Sequence, residues 1–250
     1  MEFDKSAQAP FKMIKEVSNI DKGLDFFAKH KEPFVVRNAK EFTLSINKLE
    51  QLFAREPSVL SWYETEEELF NESYSPGKEL LDDWKNGNLR YNIVDAPNEH
   101  LDLLPKNLLK NVGNLTEKGR DYAMCYALTK ANNLTKYHED ILGDGWVYLL
   151  CGRKTWHIIP TEEIDYLASQ GISLHDIKEF EFTELVQLLN NRLWGKIYIT
   201  EMNAHDFIYF PQKWAHRVQT YDKSFGICGY TATQPVIDAS ICPIALKSEL

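Results

Sequence analysis

The chain has 250 residues, 44% hydrophobic and 12% aromatic, enough to bury a sizeable core and too apolar for a disordered chain. A formal net charge of −9 argues against a nucleic-acid binder, which needs surplus Lys and Arg along the phosphates, and suits a basic peptide partner better. The opening "MEFDKSAQAPFKMIKEV" has no apolar stretch before a small-residue cleavage site, and no run reaches the roughly 18 apolar residues of a membrane span. The expectation is a soluble intracellular protein, cytoplasmic or nuclear, without a membrane partner. Cys125, Cys151, Cys228 and Cys242 stand far apart with no CxxC pair, which suits reduced thiols rather than a disulfide frame or a zinc site.

In chain order, "KEPFVVRNA" (31–39) reads as an early strand behind a proline. "SINKLEQLFAR" spaces Ile46, Leu49, Leu52 and Phe53 as a helix opened by Ser45 as N-cap. The segment from Trp62 to Trp84 is acidic and aromatic. Its "YETEEELF" reads as a solvated helix face, and Trp62, Tyr63, Phe70, Tyr74 and Trp84 read as core rather than substrate contacts. "LRYNIVDAP" reads as a strand, "PKNLLKNVG" as a helix closed by Gly113, and "RDYAMCYALTK" as a strand. Strand patterns then dominate: "GWVYLLCG", "KTWHIIP", "KIYITEM", "DFIYFP", "AHRVQTY" and "SFGICGYTAT". Two helix-like segments, "TEEIDYLASQG" and "EFTELVQLLNNRLWG", interrupt them as one long crossover. Without repeats or a linker, the pattern predicts one domain over 1–250: a mixed part to about 120, a β core over about 121–235 and a tail over about 236–250. The fold class is mainly β with helices, a mostly antiparallel sandwich or barrel.

"LTKYHEDILGDGWVYLLCGRKTW" (134–156) places unusual cargo in this β pattern. On a strand, alternation puts His138 and Asp140 about 7 Å apart on one face, and Glu139 on the other. "DFIYFPQKWAHRV" offers His216 as a third donor, and two histidines with one carboxylate suit non-haem Fe(II). Spacing alone leaves an exposed polar face as the alternative. Lys154 has apolar surroundings, where an unpaired ammonium is costly. It shares a face with Trp156 and Ile158, which leaves His157 on the other face as a structural residue. A dicarboxylate co-substrate would supply an anion for it; snorkelling to solvent or a protein carboxylate would serve equally.

The runs "TKYHED", "GRKTWHIIP" and "DFIYFPQKWAHRV" together resemble the Jumonji C (JmjC) family of Fe(II)- and 2-oxoglutarate-dependent oxygenases. They share a threonine three residues before His-x-Asp, a Gly-x-Lys before an apolar strand ending in proline, and a Pro-x-x-Trp-x-His. With "KEPFVVRNA" the resemblance spans roughly residues 31–232. The order "YNIVDAPNEHL", "DYAMCYAL", "TKYHED" is most similar to the branch containing plant-homeodomain-linked and F-box-linked lysine demethylases.

The resemblance implies a double-stranded β-helix, a jelly-roll of cupin type, whose iron is held by His138, Asp140 and His216. It implies that Thr135 and Lys154 bind the distal carboxylate of 2-oxoglutarate, with Asn92 in the same pocket. It implies an oxygenase that consumes O₂ and hydroxylates a C–H bond of a peptide or protein side chain, releasing succinate and CO₂, either as stable hydroxylation or as N-methyl-lysine demethylation. Alternatives are a free amino acid, RNA base or other small molecule as substrate, or an inactive cupin binding module. Two departures stand out. His205 precedes Asp206 where the family has glycine, so Asn203 is expected to supply a left-handed residue, and Val147 replaces the tyrosine that follows the tryptophan in the demethylase branch. The crossover 161–195 is expected to pack on the sheet, the other options being a substrate wall or a homodimer face.

Overall fold

Cys125–Thr129 and Phe207–Phe210 are buried at every residue, and strands with no solvated face have to be covered on both sides. The structure, a computed structural model, describes residues 11–56, 59–64, 70–88, 91–96, 98–177, 184–185 and 196–233, with only the backbone described at 60–64, 70–72, 91–92, 98–99 and 117–118. Its elements are β1 (Phe11–Met13), β2 (Lys15–Val17), α1 (Ile20–His30), β3 (Phe34–Val36), α2 (Ile46–Phe53), β4 (Val59–Glu64), β5 (Phe70–Ser75), α3 (Gly77–Asn86), β6 (Tyr91–Asp95), α4 (Lys106–Val112), α5 (Glu117–Asp121), β7 (Cys125–Thr129), β8 (Asn133–His138), β9 (Asp144–Cys151), β10 (Lys154–Ile159), α6 (Thr161–Ser169), α7 (Leu174–Ile177), β11 (Ile197–Met202), β12 (Phe207–Phe210), β13 (Ala215–Thr220) and β14 (Ser224–Thr231).

The strands form a smaller sheet of order β1-β11-β10-β13-β8 and a larger one of order β2-β3-β12-β9-β14-β7-β6-β4-β5. From β7 to β14 each strand lies in the opposite sheet from the one before, except that β10 and β11 are neighbours in the smaller sheet. These eight strands pair antiparallel throughout, which is the winding of a jelly-roll core. The N-terminal strands extend both sheets: β1 beside β11, β3 beside β12, and β6 beside β7.

Four layers result. Phe27 of α1, Phe53 of α2, Trp84 of α3 and Leu108 of α4 belong to one cluster with Trp146 and Tyr209 on the outer face of the larger sheet. Between the sheets, Trp156, Ile158 and Val218 meet Leu149, Ile208 and Phe210. On the far face of the smaller sheet, Tyr137, Ile159 and Ala215 meet Ile164 and Leu167 of α6 and Ile177 of α7. Each such fully buried side chain contributes about 1.5–3 kcal/mol. The described crossover helices therefore pack on the sheet.

Several elements differ from the sequence expectations. The expected helix face "YETEEELF" is strand at the three of its residues that are described: Tyr63 and Glu64 close β4 and Phe70 opens β5, which pair from Val59↔Ser75 to Glu64↔Phe70, and β4 also joins β6; residues 65–69 lie outside the described residues. The strand expected over "RDYAMCYALTK" starts only at Cys125, because Thr116 caps α5 by accepting from the Gly119 N–H at 3.0 Å. Gly113 ends α4 in a right-handed conformation (φ −59°), since the chain continues into further tight turns. Helix α1, capped by Asn19 and stopped by Lys31 at φ 54°, was not legible, with Gly23 in its interior weakening the pattern. Of the second segment expected to be a crossover helix, only Glu184 and Leu185 are described; the tail and Cys242 lie outside the described residues. Among these residues no helix is long and apolar enough to cross a membrane, and Cys125, Cys151 and Cys228 are free thiols.

Candidate metal centre and its polar chamber

His138 of β8 and His216 of β13 are direct partners across the antiparallel ladder, which puts both side chains on one face; their ring centroids are 4.2 Å apart. The register shifts here. Thr135 pairs with Val218 and His138 with His216, so three steps along β8 match two along β13, a β-bulge. Strict alternation would put Thr135 and His138 on opposite faces. The bulge cancels one step and sends Tyr137 outward into the α6 layer.

Asp140 arrives by a different route from the one alternation predicts, because β8 ends at His138 and Asp140 follows in the loop. Its backbone carbonyl accepts from the Lys213 N–H at 2.8 Å, and its Oδ1 accepts from the Tyr230 hydroxyl at 2.9 Å. One donor atom each from His138, Asp140 and His216 then lie within 4.8 Å of one another. Glu139 is not among them; burial, then Asp165, pushes its carboxyl up.

The imidazoles are arranged to use Nε2. Nδ1 of His138 pairs with the Lys136 carbonyl at 2.8 Å and Nδ1 of His216 with the Trp214 carbonyl at 3.1 Å, the partner that fixes the tautomer of a metal-binding histidine. Burial, then His138, lowers the His216 pKa to about 4, so it is neutral at pH 7 with a free lone pair. Asp140 Oδ2 lies 3.7 Å from His216 Nε2. Trp156 stacks on His216 and Phe210 packs against it at a tilt, with ring centroids at 5.6 and 4.7 Å. Two imidazole nitrogens and a carboxylate oxygen form a donor set that fits a divalent first-row cation.

A second network supports the loop. Asp144 Oδ1 accepts from the Gln212 N–H at 3.1 Å and Oδ2 from the Tyr209 hydroxyl at 3.2 Å, while Gln212 Nε2 donates to the Ile141 carbonyl at 2.5 Å. The Asp140-to-Asp144 loop and the turn leading to His216 are thus tied together. His205, at φ 72°, is itself the left-handed residue of the next turn, not Asn203. Asn203 instead donates its N–H to Asp206 Oδ2 at 3.0 Å, and Asp206 Oδ1 accepts from the Asn38 N–H, so one buried carboxylate braces the turn that histidine, more than most residues, tolerates.

Lys154 opens β10 after a two-residue turn whose Gly152 has φ 95°; a Cβ there would sit 2.6 Å from Ser224 Cβ, so glycine is required. Lys154, Trp156 and Ile158 are buried while Thr155 and His157 are less so, the expected facing. The ammonium neither snorkels nor meets a carboxylate among the described residues: it is 6% exposed and donates to Thr129 Oγ1 at 3.1 Å. Burial lowers its pKa to about 8, leaving it charged at neutral pH. The nearby Cys228 thiol is pushed up to about 12 by burial and then by Asp140, so it stays neutral and supplies no counter-charge.

Across the ladder Lys154 pairs with Thr220, and Thr220 with Asn133. Thr220 Oγ1 and Asn133 Nδ2 are buried with no hydrogen-bond partner among the described residues, as is Oγ of Ser224, opposite Thr129. Unpaired buried polar groups cost about 1–3 kcal/mol each. An ammonium without an anion beside unspent donors fits a carboxylate ligand. Thr135 is buried one row nearer the histidines, in register with Val218 and, through it, Trp156. Asn92 lies on β6 in register with Leu128 and Tyr63, and its side chain is outside the described residues. Tyr230, Asp144, Gln212, Thr220 and Asn133 were not legible as site residues, since no local motif marks them.

Residues 118–231 match the family model described as a cupin-like domain, a span holding β7 to β14, the three convergent donors and Lys154. None of the curated proteins compared with the chain matches it.

Proposed function

We propose that the protein is an Fe(II)- and 2-oxoglutarate-dependent oxygenase that hydroxylates a C–H bond of a peptide or protein side chain, releasing succinate and CO₂. The observation that carries this reading is the pairing, within one sandwich, of a His138/Asp140/His216 donor set with a buried lysine that meets no anion among the described residues. Iron held by these three residues would supply Lewis acidity and O₂ chemistry, with ligand positions left for the ketoacid. The chain does the rest. Nδ1 contacts to backbone carbonyls hold both imidazoles in the ligating tautomer. Lys154 offers its charge to the distal carboxylate of the ketoacid, and Thr135, one row nearer the histidines, completes that pocket. Trp156, Phe210 and Val147 form an apolar wall that keeps water from the reacting centre.

A net charge of −9 favours a basic peptide segment over nucleic acid as the substrate. The likeness to the lysine-demethylase branch favours an N-methyl group on such a segment, with formaldehyde as co-product. Mass spectrometry separates the outcomes: one retained oxygen atom means stable hydroxylation, whereas loss of a methyl group with formaldehyde means demethylation.

Conversion of 2-oxoglutarate to succinate by purified protein with Fe(II) and O₂, without prime substrate, tests the reading. Wild type turns over slowly, Asp140→Ala does not, and Lys154→Ala needs roughly 10- to 100-fold more 2-oxoglutarate, the effect of removing a charge-assisted hydrogen bond. Failure of the metal-loaded wild type to bind 2-oxoglutarate would turn the reading toward a binding module.

A further inference from the structure

The sheet positions two of the three donors and not the third. His138 and His216 face each other across a ladder, with their Nδ1 atoms fixed by nearby carbonyls, of Lys136 in β8 and of Trp214 just before β13. Asp140 lies past the end of β8, where no ladder bond holds it. The Lys213 N–H fixes its backbone, and its side chain is oriented from the opposite sheet, by the Tyr230 hydroxyl of β14, 2.9 Å from Oδ1. Tyr230 is itself anchored by its N–H to the Tyr122 carbonyl at 3.1 Å and by the ladder to Gly145.

We propose that Tyr230 is a positioning residue for the metal: by occupying Oδ1 of Asp140 it presents Oδ2 alone to the cation and fixes the carboxylate as a one-oxygen ligand. The inference rests on the metal reading above. Oδ2 is already the oxygen that faces His216 Nε2, at 3.7 Å. The consequence concerns the number of open positions. A carboxylate chelating through both oxygens takes an extra place on an octahedral ion, and the proposed reaction needs every place the protein leaves, for a chelating ketoacid and for O₂. A phenol has one O–H to donate, and here it is spent on the oxygen that must stay off the metal. A phenylalanine would fill the same space and leave Oδ1 free to swing onto the ion.

The test uses Co(II) as the probe, with full-length wild type and Tyr230→Phe. Three quantities are read: the Co(II) dissociation constant, the visible Co(II) spectrum, which reports coordination number, and the melting temperature of the metal-free protein. The expected result is a dissociation constant raised about 10- to 100-fold, the usual effect of losing an outer partner of a ligand, with an altered spectrum and an unchanged metal-free melting temperature. Unchanged affinity and spectrum overturn the proposal. So does weakened affinity with an unchanged spectrum and a lowered metal-free melting temperature, which marks a packing role. Wild type whose Co(II) uptake is absent, or unaffected by His138→Ala, overturns the metal reading and this inference together. Normal uptake with an indifferent Tyr230→Phe overturns the inference alone.

Discussion

Lys154 carries opposite consequences for stability and for binding. In the folded, ligand-free protein its pKa is lowered by burial to about 8 from the ordinary 10.5. Between those values the unfolded chain binds more protons than the folded one, so stability rises with pH across that window; below about pH 8 both states are charged and the burial penalty is constant. Lys154→Met removes that penalty, keeps the volume and abolishes the pH term. Its melting temperature at pH 7 is expected above that of wild type, with the gap closing toward pH 10.5, while 2-oxoglutarate binding is lost. A gap that does not change with pH would mean that the ammonium is not buried as charged. In wild type, affinity for 2-oxoglutarate should fall as pH rises past about 8. Lys154 was readable in the sequence because a lysine between apolar runs has few places to go. The Tyr230–Asp140 and Asp144–Gln212 contacts were not, because each joins segments far apart in sequence that only the finished sandwich brings together.

At the scale of elements, the β-bulge in β8 converts a sequence motif into a site. Alternation correctly predicts the facing of Lys154 and Trp156, yet it leaves Thr135 on the wrong side of His138, and one unpaired residue corrects this. Core strands were legible from their β-branched and aromatic runs. The pairing of β4 with β5 and β6 was not, because it joins segments whose local sequence does not mark them as partners. On β9 a different constraint acts. The ring of Phe210 lies where a Cβ of Gly145 would be, 2.3 Å from its ring atoms, and the same ring packs on His216 at 4.7 Å. Gly145→Ala must push Phe210 toward His216. The expected cost is about 1–3 kcal/mol, the range for overpacking a core, seen as a lower urea midpoint at constant m-value, together with weaker metal binding. Lost stability with unchanged metal affinity would show that the ring does not hold the imidazole in place.

For the whole molecule, the donor set draws on both sheets. His138 and His216 belong to the smaller sheet, while Asp140 is oriented by Tyr230 of the larger one and by the Lys213 turn that β12 leads into. The apolar cluster between the sheets fills the rest of the sandwich, so its polar end holds two facing imidazoles and buried polar atoms with no hydrogen-bond partner among the described residues. A cation bound there would act as a staple between layers, since an unfolded chain offers no comparable site. Mass action then predicts stabilisation of about 2.7 kcal/mol at a metal concentration a hundredfold above the dissociation constant. For a chain of this size that raises the melting temperature by about 5–10 °C, reversibly on adding chelator. Asp140→Ala should lose the metal-dependent rise while keeping its metal-free melting point. Adding 2-oxoglutarate to metal-loaded wild type should raise the melting temperature further, because it satisfies Lys154 at the other end of the chamber, and should do nothing for Lys154→Met. A metal-dependent rise that survives in Asp140→Ala would place the cation elsewhere and remove the staple.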